Sequence, residues 1–139
     1  METLLHKKEN PQDVNIMDKI LLLFLILLSS CVTRKSLSIV NKQGSYKLKW
    51  DTAHYPTSDS SKIFGTIYDF DYSKALSGST IQIGQRKFSG DINGNYVINL
   101  PPGKYTIWSK AVHYKHLKTK RLKLAKQDSV RIDFYMKPI

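Results

Sequence analysis

Cysteine is almost missing from this chain: among 139 residues there is one, Cys31. No intramolecular disulfide can form, and no Cys-x-x-Cys or Cys/His cluster exists to hold a structural zinc. Long apolar runs are missing too. Ile20–Leu28, ILLLFLILL, is unbroken, but its nine residues fall short of the about 20 a membrane-spanning helix needs. No Ser/His/Asp set and no carboxylate pair stands out, so nothing points to an enzyme or to a cofactor. His113 and His116 are three apart, which on a strand means opposite faces, so they share a metal only if a turn intervenes. Asp91-Ile92-Asn93-Gly94-Asn95 lacks the later glutamate and the spacing of a calcium loop; a hairpin turn explains it better. Acid is scarce, with 11 Asp and Glu against 22 Lys and Arg and a net charge of +11. That balance favours anionic partners, or else provides a solvated basic surface.

What is present divides the chain in two. The apolar run has the length of a signal-peptide core, about 7–15 residues, and Ser29 and Ser30 follow it at once. Met17 and Lys19 stand just before it, so residues 17–30 read as a complete signal peptide. Residues 1–16 are then surplus, a gene-model extension or a disordered leader, with Met17 as the expected start.

Leu28-Ser29-Ser30-Cys31 resembles the lipobox of bacterial lipoproteins. The resemblance implies that the Cys31 sulfur takes a diacylglyceryl group, that the chain is cut before Cys31, and that the new amino group is acylated in turn. The competing readings are an ordinary signal peptide with a chance cysteine, or a short uncleaved anchor. Each buried methylene contributes about 0.8 kcal/mol, so two or three acyl chains anchor the protein permanently. Cleavage leaves 19 basic against 7 acidic residues, a net +12. The resemblance implies a cell-envelope location in the outer membrane. Val32-Thr33-Arg34-Lys35 lacks the acidic export signal of some surface lipoproteins, which favours the periplasmic side.

Residues 31–62 read as the lipidated cysteine and a polar tether. Coil of this length spans about 30 Å. Leu37-Ser38-Ile39 and Tyr46–Trp50 alternate, and a small hairpin turning at Asn41–Gly44 fits them if it docks on the main domain.

From Ile63 the pattern becomes period two throughout. Ile63 and Ile67 share a face, as do Ile81 and Ile83; Tyr96, Ile98 and Leu100; Tyr105 and Ile107; Leu122 and Leu124; and Val130, Ile132, Phe134 and Met136. Ser77-Gly78, Asn93-Gly94 and Pro101-Pro102-Gly103 punctuate the segments as turns. About seven strands with turns every 8–12 residues predict an all-β, immunoglobulin-like or transthyretin-like sandwich over 63–138. Trp108, Phe64, Tyr68, Phe70, Tyr72 and Tyr96 are expected to enlarge a core that has no disulfide to support it.

Gly65/Asp69, Ser77–Ile83, Asp91/Gly94/Tyr96, Leu100/Pro101/Gly103/Tyr105 and Val130–Met136 together resemble the carboxypeptidase-regulatory-like domain, a transthyretin-like sandwich. The resemblance implies a non-catalytic module of the kind appended to carboxypeptidases, outer-membrane receptors and cell-surface proteins. One departure is His113, which stands before Tyr114 where the family often has glycine. The fold by itself implies no ligand.

One segment carries a candidate site. Lys110–Lys126 holds seven basic residues and no acid. Lys115, Lys118, Lys120, Arg121 and Lys123, beside Tyr114, suit a polyanion such as lipopolysaccharide or an acidic glycan. The alternative is a solvated edge strand whose lysines block edge-to-edge pairing. The sequence thus predicts a membrane-bound accessory module with an anionic glycan or an envelope protein as partner, and no nucleic acid.

Overall fold

The structure is a computed structural model that describes residues 36–51 and 59–139. The signal peptide expected over residues 17–30, the leader before it and Cys31 lie outside this set. Within it the chain is all β, with no helix.

Five strands form one sheet: β1 (Leu37–Asn41), β2 (Gly44–Trp50), β3 (Ser61–Asp69), β6 (Asn95–Leu100) and β11 (Ser129–Met136), in the order β1-β2-β11-β3-β6. A second sheet runs β5 (Arg86–Ser89), β4 (Thr80–Ile83), β8 (Ile107–Lys110), β9 (Leu117–Lys118). The short strands β7 (Gly103–Tyr105) and β10 (Leu122–Leu124) pair separately. The two larger sheets enclose the core. Ile63, Ile67, Val130, Ile132, Phe134 and Met136 come from one side and Ile81, Ile107 and Leu117 from the other, all 0% exposed. The expected inward-facing residues are buried except Tyr105 and Leu122, which are half-buried against the core; within one strand alternation sets the face.

Three expectations need correction. Eleven strands replace the expected seven. Two of the extra strands, β1 and β2, come from the presumed tether. The hairpin over this segment exists, and β2 pairs with β11 from Trp50↔Val130 to Met136↔Gly44. Leu48 and Tyr46 thereby enter the core, which compensates the hairpin for its own marginal stability. The folded domain therefore begins at residue 37 and not at 63.

Others arise because β5 and β9 form where no strand was expected, and because the expected strand over Lys104–Trp108 breaks at Thr106. The chain changes partners there: β7 pairs with β10, whereas β8 pairs with β4 and β9. Thr119 closes the corner, its Oγ1 accepting the Ile107 N–H at 3.1 Å and its own N–H donating to the Ile107 carbonyl at 2.9 Å.

The third correction concerns the aromatics. Of those expected inside, only Tyr96 is buried; Phe64, Tyr68, Phe70 and Trp108 are half-buried and Tyr72 is 83% exposed. The core rings are Tyr46, Tyr96 and Phe134, with centroids 6.0 Å apart for Tyr46–Phe134 and 6.4 Å for Tyr96–Phe134. Tyr68 and Tyr135 instead stack on the outer face of the large sheet, 5.1 Å apart.

Candidate functional site

The acidic residues of the motifs act on the backbone. Asp69, at the end of β3, accepts the Asp71 and Tyr72 N–H groups at 2.8 and 3.0 Å and the Tyr114 hydroxyl at 2.7 Å. Tyr114 foremost, then those N–H groups, hold the Asp69 carboxyl below the ordinary carboxylate value against the effect of burial. The same bond raises the Tyr114 phenol. Asp91 accepts N–H groups of Asn93 and Asn95, both at 2.8 Å, and the Asn95 N–H leads in lowering its carboxyl. Those bonds are those of a turn, as expected, and use the oxygens a calcium ion would need. Asp133 accepts the Thr66 N–H at 3.0 Å and the Arg131 Nε at 2.9 Å. Among the described residues no group of three or more His, Cys, Asp or Glu could hold a metal.

The outer face of the four-stranded sheet has a different character. Residues directly opposite one another share a face. The registers Gln82↔Lys87, Gln82↔Trp108 and Trp108↔Lys118 therefore set Lys87, Gln82, Trp108 and Lys118 in one row across all four strands. The adjacent row is Ser89, Thr80 and Lys110. Lys118 Nζ lies 5.2 Å from the Trp108 ring centroid. Lys110 Nζ donates to Gln82 Oε1 at 2.6 Å, and Gln82 Nε2 donates to the Gly84 carbonyl at 2.8 Å. None of the four strands contains an acid, and none occurs anywhere from Ile92 to Gln127. The face thus combines ammonium groups, an amide and a half-buried indole, and its four strands contribute no carboxylate.

The five basic residues singled out from the sequence do not gather on this face. Lys118 joins the row. Lys115 lies beyond the turn, its N–H bound to the Lys137 carbonyl at 2.9 Å. The Lys120 N–H donates to the Tyr46 hydroxyl at 2.9 Å. Lys123 stands opposite Lys104 in the separate β7–β10 ladder, with Arg121 exposed just before β10. Lys87, Gln82 and Trp108 escaped notice because register, not sequence proximity, brings them together. The one signal for them was the absence of acid on both sides of Lys110. Lys87 and Lys118 also lie on the two edge strands of the sheet, where lysine discourages pairing with another edge.

At one end of this face a cleft of about 370 Å3 is lined by Thr80, Lys110, Val112, His113, Tyr114 and His116, among others. A turn does intervene between β8 and β9, and it brings both histidines to the same cleft. His113 adopts φ 66°, the left-handed conformation that glycine takes without cost. A glycine-like backbone is therefore present at this position, carried by histidine.

No family model matches the chain, and no curated protein matches it in sequence. Among solved structures, hydroxyquinol 1,2-dioxygenase from Pseudomonas putida DLL-E4 is similar over 92% of this chain and 76% of its own. The sequence identity is 10% and the TM-score 0.46, a likeness from which no activity is transferred.

Proposed function

We propose that the chain is a lipid-anchored, non-enzymatic binding module of the bacterial cell envelope, a carboxypeptidase-regulatory-like, transthyretin-like sandwich held to the outer membrane through Cys31. The lipobox in the sequence supports the anchor. The engagement of Asp69, Asp91 and Asp133 with donors of the fold supports a binding rather than a catalytic role. Five residues separate Cys31 from the start of β1, which limits the link to about 18 Å when fully extended. The domain then stays close to the bilayer. Cys31→Ala is expected to abolish fatty-acid labelling and to yield soluble or unprocessed protein; continued labelling excludes Cys31 as the lipid site.

A second reading, that the module binds polyanions such as lipopolysaccharide or acidic glycan, is favoured by one observation: the acid-free row Lys87–Gln82–Trp108–Lys118. Retention on heparin is expected to fall with salt, as for any ionic contact. Charge reversal at Lys87 and Lys118 is expected to abolish it near physiological salt. The same change at Lys120, Arg121 and Lys123 is expected to weaken it less. Absence of retention in the unaltered protein overturns the polyanion reading and leaves the anchor untouched.

A further inference from the structure

We propose that the cleft between Thr80, Lys110, His113 and His116 is a subsite for the acidic group of a single saccharide unit, a carboxylate or phosphate carried on a sugar ring. This rests on the polyanion reading and narrows it to one place and one chemistry.

The cleft continues the outer face, since its Thr80 and Lys110 are register partners in the row beside Lys87–Gln82–Trp108–Lys118. The cleft, about 370 Å3 in volume, is broadly open to solvent and has room for a single small ring. A lysine ammonium has three donors. That of Lys110 gives one to Gln82 Oε1 at 2.6 Å, and the Gln82 amide is itself fixed on the Gly84 carbonyl. The cation is therefore held in position with two donors left over. Neither the His113 nor the His116 imidazole has a hydrogen-bond partner among the described residues. Among the described residues no Asp or Glu side chain lines the cleft, although Ile139 does. The nearby Asp69 is already bound by the Tyr114 hydroxyl and two N–H groups. Ala111 and Val112 add an apolar wall, suited to the C–H face of a sugar ring.

The backbone at His113 is a separate observation. Its φ of 66° is unfavourable for any side chain, and its carbonyl is fixed by the Ile139 N–H at 3.0 Å. Glycine would serve the turn better. A histidine in that conformation, on the wall of a cleft with two other nitrogen donors, fits a requirement for the imidazole itself.

The test follows the imidazole C–H resonances of the full chain by NMR, assigned with His113→Gly and His116→Gln, during titration with galacturonate, a hexose phosphate and glucose. Shifts of both histidines with an acidic sugar and not with glucose are expected, and the acid that acts identifies carboxylate or phosphate as the group taken. His113→Gly is expected to weaken binding of that sugar about tenfold. The same substitution should raise Tm by roughly 4–8 °C, so lost binding cannot be lost folding. Lys110→Met is expected to weaken binding likewise. Histidines that respond to no probe, that respond equally to glucose, or whose removal leaves affinity unchanged overturn the proposal. If heparin retention persists in that case, only the subsite fails; if it is also absent, the polyanion reading fails with it.

Discussion

Replacing Gly65 by alanine is expected to lower Tm by roughly 15 °C, equivalent to about 3 kcal/mol or more. A Cβ at this position would lie 2.0 Å from the Ile132 carbonyl oxygen and 2.7 Å from its carbon. Both are main-chain atoms, so no side chain can move aside. The parallel pairing of β3 with β11 runs from Ser129↔Lys62 to Arg131↔Phe64 and resumes at Phe134↔Ile67. In the interval, side chains replace ladder bonds. The Thr66 N–H donates to the Asp133 carboxylate at 3.0 Å, and the Tyr96 hydroxyl donates to the Ile132 carbonyl at 2.6 Å. A methyl group would push Ile132 away from Tyr96, leaving a buried hydroxyl and a buried carbonyl unpaired. Gly84→Ala is the control, since a Cβ there meets nothing within 4 Å although its φ is 59°. It should cost only about 1 kcal/mol. Thermal unfolding followed by circular dichroism decides the matter. Equal losses in the two variants would mean that Gly65 is not there for close approach.

Asp69→Ala is expected to cost about 2–3 kcal/mol. It removes the acceptor of two N–H groups and one hydroxyl at a position only 6% exposed. It also frees Tyr114, which ties the β8–β9 turn to the end of β3. The bond between them gives stability a dependence on pH at both extremes. The Asp69 carboxyl is depressed below its ordinary 3.8, so its contribution is complete above that value. It is lost as pH falls through the lower, folded-state pKa. The Tyr114 phenol is raised above its ordinary 10.0, so its contribution is complete below that value and is lost as pH rises through the folded-state pKa. Tyr96, raised chiefly by burial, adds to the alkaline limb. Tyr114→Phe should therefore flatten the acid limb and reduce, without removing, the alkaline one. Urea denaturation across pH measures both. An acid limb unchanged in Tyr114→Phe would show that this hydroxyl does not hold the Asp69 carboxylate.

The inner faces of the strands were legible in the sequence because period two is written locally. Val130, Ile132, Phe134 and Met136 must share a side wherever β11 lies, and that side is the core. The turns at Asn93-Gly94 and Pro101-Pro102-Gly103 were legible for the same reason: their geometry depends on neighbouring residues alone. The roles of Asp69, Tyr96 and Tyr105 were less so. Tyr105 reaches only as far as the Pro101 carbonyl, at 2.8 Å, but Tyr96 reaches Ile132 and Asp69 reaches Tyr114. Partners 36 and 45 residues away leave no trace in a local pattern.

The sequence by itself determined the basic charge, the absence of a disulfide or a cysteine–histidine zinc site, the period-two core and the turns, all of which follow from composition or from a few adjacent residues. Only the tertiary structure decided that residues 37–50 belong to the domain, since a hairpin acquires stability from the sheet it joins. It also decided that Lys118 faces Trp108, Gln82 and Lys87 and not Lys120, Arg121 and Lys123. The chain changes sheets at Thr119, and a change of pairing partner reassigns every side chain beyond it. His113 shows the limit most plainly. Contacts through its carbonyl and through Tyr114 hold a left-handed backbone conformation that a histidine alone would avoid, and neither contact is written in the neighbouring sequence.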